Sequence, residues 1–427
     1  MQLSLDEFAL SYCYSRLIIR PELGSGASFS VHSPTFLTCM KAIGMASYNS
    51  VARSAVVALE AQNFYNDAIR ATNDALSSSA SVQDYTLLSV IALASLEGIV
   101  GHDARSLDVW KRHVGGIAAL LTLRGDEQLE TSDGRHLFLT AMGSLAAKCL
   151  ILGMRLPAKV TDLMDTATRQ YGSDEDPLWR ICLNMTHLVN LYSDVILGTL
   201  TDPHTILMRA TQIDKNLAAS FNHAPRAWQH EIRTFPQAQL DTLDPSLPKT
   251  YHVYLHVLAA QQWNVMRGGR IICNTLIKSA AAQLPEERET DHILSQQCST
   301  IIQQMQTNIL ATVAQYVGMT GDKYANMISR QCGDAVGVHI PPAPTILLKT
   351  ANIERVDLPS LRLSHAHNLL WSVGLVGRAV VVEDPIRTTV CKVLRLIGQK
   401  LGISQAFAVA ATLETDRMHS GRSCTLL

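Results

Sequence analysis

The sequence contains little charge. Only 17% of its 427 residues are Asp, Glu, Lys or Arg, whereas soluble domains typically carry about 25%. The 36 basic and 37 acidic residues nearly cancel, so no net field would draw the chain to nucleic-acid phosphates. Apolar residues make up 47%. This composition excludes a disordered, highly charged chain and allows a large buried core.

Cysteine is present but not in a pattern that forms a site. The nine cysteines are scattered and include no CxxC pair, which excludes a zinc ribbon or finger. Their odd number also argues against a disulfide framework. The HExxH, GxSxG and P-loop patterns are absent as well. We therefore expect no bound metal and no cofactor.

Long hydrophobic runs are also missing. The most apolar stretches, 87–100 and 369–382, include Ser, Glu or Arg and fall short of the roughly 20 apolar residues that cross a bilayer. The N-terminus contains Asp6 and Glu7, unlike a secretory leader. We expect an intracellular protein of the nucleus or cytoplasm, without a membrane span.

Proline is absent over long stretches. None lies between Pro34 and Pro157, and only Pro285 lies between Pro248 and Pro341. Because proline breaks helix interiors, these stretches permit many consecutive helices. Alternating strand patterns are scarce. We predict an all-α fold, a multi-helix array of antiparallel helix pairs in a single large helical domain.

The apolar spacing places the helices and divides the chain. The predicted helices are 35–57, 60–76, 84–99, 103–123, 133–154, 177–197, 206–219, 249–282, 291–317, 361–382, 385–401 and 404–413. Residues 220–248 hold four prolines and predict a loop-rich connection with a short helix. The domains are an N-terminal extension, 1–34, a helical domain, 35–413, and a C-terminal tail, 414–427.

The most distinctive helix contains Trp110. Trp110, Val114, Ile117, Leu120 and Arg124 recur at three- and four-residue steps, so they share one stripe of a helix. We expect this stripe to face the core, with Trp110 buried.

Two glycines interrupt this helix and a third follows it. Gly115 and Gly116 each cost about 1 kcal/mol relative to alanine in a helix interior. We expect the close approach of another helix to offset that cost. Gly125 stands where a helix C-terminus often has glycine.

The pattern W-x-x-H-x-x-G-x-x-x-L-L-x-x-R-G, followed by G-R-x-L-F, resembles the fungal-specific transcription factor domain. That domain is the helical region of fungal zinc-binuclear-cluster regulators. The matching residues are Trp110, His113, Gly116, Leu120, Arg124, Gly125, Gly134, Arg135 and Phe138. The resemblance is clearest over 40–155. It implies that these residues are structural, in an all-α fold with a regulatory or ligand-sensing role.

One departure from the family changes the functional hypothesis. Its DNA-binding members carry six N-terminal cysteines, because six thiolates are needed to hold two zinc ions. Here the first 40 residues contain only Cys13 and Cys39. We therefore expect no direct nucleic-acid binding. The resemblance then implies a regulator of transcription that acts on a fungal secondary-metabolite gene set through a partner, such as a DNA-binding regulator, or a small apolar ligand. A gene model that lacks an upstream six-cysteine exon stays open.

The second hypothesis is an enzyme on the same scaffold, a cofactor-independent isomerase or cyclase of a secondary-metabolite pathway. Helix arrays readily enclose apolar pockets. The candidate polar groups are His113, Tyr251, His252, Tyr254 and His256. Because His252 and His256 are four residues apart, they would share one face of the predicted helix 249–282.

Two smaller features remain open. The Arg267-Gly-Gly-Arg270 sequence could meet an anion or form an ordinary pair of cations on the side of a helix. Cys424 begins the C-terminal sequence Cys-Thr-Leu-Leu, which has the form of a prenylation motif ending in leucine.

Overall fold

The computed structural model describes residues 4–16, 33–52, 54–100, 105–172, 176–241, 247–255, 257–284, 288–316, 363–379, 384–401 and 403–415. These residues form a predominantly all-α array with one small antiparallel sheet, which confirms the predicted fold class. His256, Cys424 and the side chain of Trp110 lie outside the described residues.

Helices alone build the first half of the array. They are α1 Leu5–Arg16, α2 Pro34–Ala52, α3 Ala55–Leu76, α4 Asp84–Val100, α5 Arg105–Arg124, α6 Ser132–Leu152, α7 Ala158–Tyr171, α8 Pro177–Ile196 and α9 Pro203–Ala218. Side-chain caps from Thr131, Asp176 and Asp202 open α6, α8 and α9. Helix α1 packs on α2, so part of the predicted N-terminal extension belongs to the array. Helix α7 was not predicted.

The second half adds a β-hairpin to the helices. Its elements are β1 His230–Thr234, α10 Gln237–Leu240, β2 Thr250–Tyr254, α11 Val257–Ala281, α12 Arg288–Tyr316, α13 Leu363–Arg378, α14 Pro385–Leu401 and α15 Ser404–Thr415. The two strands pair antiparallel, with His230 opposite Tyr254. The predicted helix 249–282 is therefore wrong at its start, where the chain forms β2. The predicted loop-rich connection also contains a strand, β1.

Helix α11 lies at the centre of the second half, between α8 and α9 on one side and α12 and α13 on the other. Two glycines make this possible. A Cβ at Gly268 would lie 2.7 Å from the ring of Trp371, and one at Gly269 would lie 2.9 Å from the sulfur of Met185. Both distances are too short for a side chain, so α11 packs closely on two faces.

The glycines of α5 behave differently. Gly115 and Gly116 are exposed, and no described atom lies within 4 Å of a Cβ added at either. The expected close approach of another helix at these positions is therefore wrong. The tight glycine of this region is Gly134 in the first turn of α6, where a Cβ would collide with the carbonyl oxygen of Gln128.

Within the described part of the chain, α6 alone is long and apolar enough to cross a membrane by length and composition. Half of its apolar window is buried inside the array, and Leu137 and Phe138 belong to the main hydrophobic cluster. That cluster reaches from Cys13 to Leu413, so α6 packs as a core helix.

Candidate functional site

The residues of the family-like pattern at the end of α5 have structural contacts. Leu120 is buried in the main cluster. Arg124 is also buried, forms an ion pair with Asp84 of α4 and donates to the carbonyl oxygen of Val82 at 2.9 Å. Gly125 has a φ of +57°, a left-handed conformation that favours glycine. These contacts fasten α5 to α4.

The downstream residues of the pattern fasten α6 to its neighbours. The Nη1 of Arg135 donates to the carbonyl oxygens of Leu129 and Glu130 at 2.8 and 3.1 Å. Its guanidinium also lies 4.9 Å from the ring centroid of Tyr171 in α7. Phe138 is fully buried. These contacts are structural.

His113 lies apart from the other candidate catalytic residues. It is on α5, which packs against α4 and α6, whereas β2 packs against α11 and α12. Its Nε2 is buried and has no hydrogen-bond partner in the described part of the chain. Burial, with smaller contributions from Lys148 and Arg112, lowers the pKa of His113 to about 4.

The remaining candidates lie on β2, where side chains alternate between faces. Tyr251 lies on one face, in a small apolar cluster with Phe235 and Ala314 of α12. The ring centroids of Tyr251 and Phe235 are 4.7 Å apart. His252 and Tyr254 share the other face and are both buried. The predicted helical pair of His252 and His256 is therefore wrong, because His252 belongs to a strand.

Arg267 approaches this face of β2 from α11 and is only 1% exposed. Its Nη1 donates to the hydroxyl of Tyr254 at 2.8 Å and to the side-chain oxygen of Asn264 at 3.1 Å. Its Nη2 donates to Nδ1 of His252 at 3.2 Å. The Nδ2 of Asn264 in turn donates to the hydroxyl of Thr312 in α12 at 3.0 Å.

Every acceptor of Arg267 is uncharged. Among the described residues, no carboxylate lies within ion-pair distance of it. Arg270, one turn later on α11, has a carboxylate partner. Its Nε and Nη2 donate to the carboxylate of Asp214 at 2.9 and 3.2 Å, and Asn274 donates to the same carboxylate at 2.9 Å. The two arginines of one short motif therefore have opposite electrostatic surroundings.

Aromatic rings complete the surroundings of Arg267. The guanidinium carbon lies 5.1 Å from the ring centroid of Trp263, within the range of a cation–π contact. The ring of His230 lies 4.4 Å from that of His252, 4.7 Å from Trp263 and 4.9 Å from Tyr254. We refer to Arg267, His252, Tyr254, His230 and Trp263 together as the Arg267 centre.

The ionisable groups of the Arg267 centre are held neutral around the cation. Burial, then the charge of Arg267, lowers the pKa of His252 to about 3 and that of His230 to about 4. Burial also raises the pKa of Tyr254. Because Nδ1 of His252 accepts from Arg267, the imidazole carries its proton on Nε2.

Replacing His252 with glutamine should make the free energy of unfolding depend less on pH below about 6.5. The unfolded imidazole has a pKa near 6.5 and takes up a proton before the folded one does. Because the pKa of His252 in the folded protein is about 3, wild-type stability is lost as pH falls from 6.5 towards 3. The slope from this histidine is up to about 1.4 kcal/mol per pH unit. Arg267, His230 and Tyr254 face the ring and stay in place in the variant.

Urea unfolding at pH 7 and pH 5 measures this effect. The difference between the two pH values should be smaller in His252→Gln than in wild type. The exposed His223→Gln variant is the control and should keep the wild-type difference. An unchanged difference in His252→Gln would show that His252 titrates normally in the folded protein.

No protein-family model, curated protein sequence or solved structure matches this chain. Its described residues also contain no group of three His, Cys, Asp or Glu side chains that could hold a metal ion. The Arg267 centre is a buried polar cluster on the hairpin side of the array.

Proposed function

We propose that this chain is a regulatory protein that acts by binding. In this proposal it works in the nucleus without contacting DNA itself, and it modulates transcription of a fungal metabolic gene set through a protein partner or a small molecule. The observation that carries the proposal is the Arg267 centre, in which a buried cation has only neutral acceptors. The family-like pattern over 110–125 supports the regulatory setting.

The protonation states of the Arg267 centre favour recognition over catalysis. A general acid or base works best with a pKa near the operating pH. The pKa values of His252 and His230 are about 3 and 4, and the pKa of Tyr254 is raised above its usual 10. At neutral pH these groups donate or accept hydrogen bonds without exchanging protons. This argues against the isomerase or cyclase hypothesis.

The separation of the candidate residues also disfavours an enzyme. His113 packs in the α4–α6 region, Tyr251 lies on the opposite face of β2 from His252, and His256 lies outside the described residues. Of the four candidates that the structure describes, only His252 and Tyr254 come together, at 3.2 Å between Nδ1 and the hydroxyl. They meet an arginine that already binds both.

A deletion in the native host tests the proposal, with transcripts and metabolites scored in the same cultures. We expect a set of transcripts to rise or fall together, and the wild-type gene to restore them. The surface variant Arg395→Met is the control and should also restore them, because Arg395 is half exposed and its described ion-pair partner is Glu414. Level transcripts with one accumulating intermediate would overturn the proposal in favour of an enzyme.

A further inference from the structure

We infer that the Arg267 centre is a binding site for a small monoanionic carboxylate with a flat apolar body. The inference rests on the proposed function and names the class of its ligand. Three features of the centre support it: its charge, its buried polar atoms without described partners, and its aromatic side chains.

The positive charge of Arg267 has no negative partner among the described residues. A buried guanidinium that has lost its water is stabilised well only by a negative partner. Arg267 has instead two aromatic side-chain acceptors, an amide and a backbone carbonyl of Asn308 at 3.4 Å. Because His252 and His230 are neutral, the centre carries one positive charge. One negative charge would balance it.

Two buried polar atoms of residues close to the cation have no hydrogen-bond partner among the described residues. The Nδ1 of His230 and the hydroxyl of Tyr316 are buried, and neither has a hydrogen-bond partner in the described part of the chain. Native proteins rarely leave such atoms unpaired. Tyr316 ends α12 and lies within electrostatic range of both Arg267 and Tyr254. Both atoms can donate a proton to the oxygen of an anion.

The single charge and the aromatic surroundings of the centre fit a carboxylate with an apolar body. A phosphate monoester carries about −1.5 to −2 at neutral pH and would overcompensate a single arginine. A carboxylate carries −1 and matches the planar fork of a guanidinium. The ring of Trp263 lies 5.1 Å from the guanidinium carbon, and Tyr254 places its hydroxyl on Nη1. A ligand held beside these aromatic side chains gains from an apolar, aromatic or conjugated body.

The hairpin provides the route of entry. The centre is closed in this structure, with His252 and Tyr254 almost fully buried. Strand β1 is the outer strand and exposes Ile232 by 65%. A two-stranded hairpin has little stability of its own. Gln315 of α12 holds β2 through two hydrogen bonds to the backbone of Tyr254, at 3.0 and 3.1 Å. We expect displacement of this hairpin to open the centre, and its return to bring His252, Tyr254 and His230 back around the bound anion.

Isothermal titration calorimetry of the full chain with sodium benzoate at pH 7 tests the inference. We expect one benzoate per chain. Benzamide, which has the same ring without the charge, should bind at least about tenfold more weakly, the factor that one charged hydrogen bond contributes. Phenyl phosphate should also bind more weakly than benzoate, because its charge exceeds that of one arginine. The variant Arg267→Met should lose benzoate affinity by at least about the same factor. The surface variant Arg395→Met should bind as wild type does.

A second variant keeps the test decisive if Arg267→Met does not fold. Tyr316→Phe removes a hydroxyl that has no described partner, so its melting temperature should be unchanged or higher. Its benzoate affinity should nevertheless fall. The inference would be overturned if benzoate did not bind. It would also be overturned if the folded variants, Tyr316→Phe and Arg267→Met, bound benzoate with wild-type affinity. Tighter binding of phenyl phosphate or benzamide would overturn it as well. Level transcripts in the deletion strain bear only on the proposed function, so the two failures are distinguishable.

Discussion

Replacing Arg270 with methionine should lower the free energy of unfolding by about 3–5 kcal/mol, the usual cost of breaking a buried ion pair from one side. Both Arg270 and Asp214 are largely buried, and two hydrogen bonds join them. Without the guanidinium, the carboxylate of Asp214 keeps only Asn274 as its described polar partner. A charge left in a low dielectric without its counter-charge is strongly destabilising.

Arg267→Met is the matched comparison, because it makes the same change one turn away. It removes an arginine whose acceptors are neutral, and the hydroxyl of Tyr254 can still donate to His252. We therefore expect a loss of less than about 2 kcal/mol. Urea unfolding of both variants at pH 7 measures the difference. Equal losses would contradict the view that only Arg270 has an electrostatic partner.

Gly134→Ala should destabilise the fold by about 3 kcal/mol, at the upper end of the range for overpacking. Gly134 is buried, and its added methyl group would meet the backbone oxygen and carbon of Gln128. Backbone atoms cannot rotate away as a side chain does. The 3₁₀ turn that contains Gln128, Asp126–Leu129, would have to move, and with it the connection between α5 and α6.

Gly115→Ala is the control for this substitution. It makes the same chemical change within a helix, but in open space. Because alanine has a higher helix propensity than glycine, the free energy of unfolding of this variant should rise by about 0.5–1 kcal/mol. Thermal unfolding followed by circular dichroism compares the two. A loss in Gly115→Ala similar to that in Gly134→Ala would mean that α5 is covered on the face that the structure exposes.

The sequence predicted those helices best whose ends carry local signals. The predicted helix 385–401 has the bounds of α14, and 177–197 nearly matches α8, which begins with proline after the capping residue Asp176. Helix α7 was missed although Val160, Leu163, Met164 and Ala167 have helical spacing and are buried. Helix α7 is short, and no side-chain cap marks its start after Pro157.

Strand β2 and the Arg267 centre depend on contacts that no local pattern contains. Residues 251–254 have aromatic and β-branched side chains but lie next to a long helical stretch, and only pairing with β1 makes them a strand. The sequence singled out His252, Tyr254 and Arg267 separately. It missed His230 and Trp263, because His230 reaches the centre only when the hairpin folds back on α11.

The two glycines of α11 restrict how the Arg267 centre could signal. Gly268 and Gly269 bring the helix backbone against Trp371 on one face and Met185 on another. If α11 turned about its axis, residues next to the glycines would collide with Trp371 and Met185. Packing on these two faces therefore prevents rotation of the helix. If a ligand binds at Arg267 as proposed, we therefore expect α11 to stay in place. We expect the hairpin and the end of α12 to move instead, because both contact the Arg267 centre.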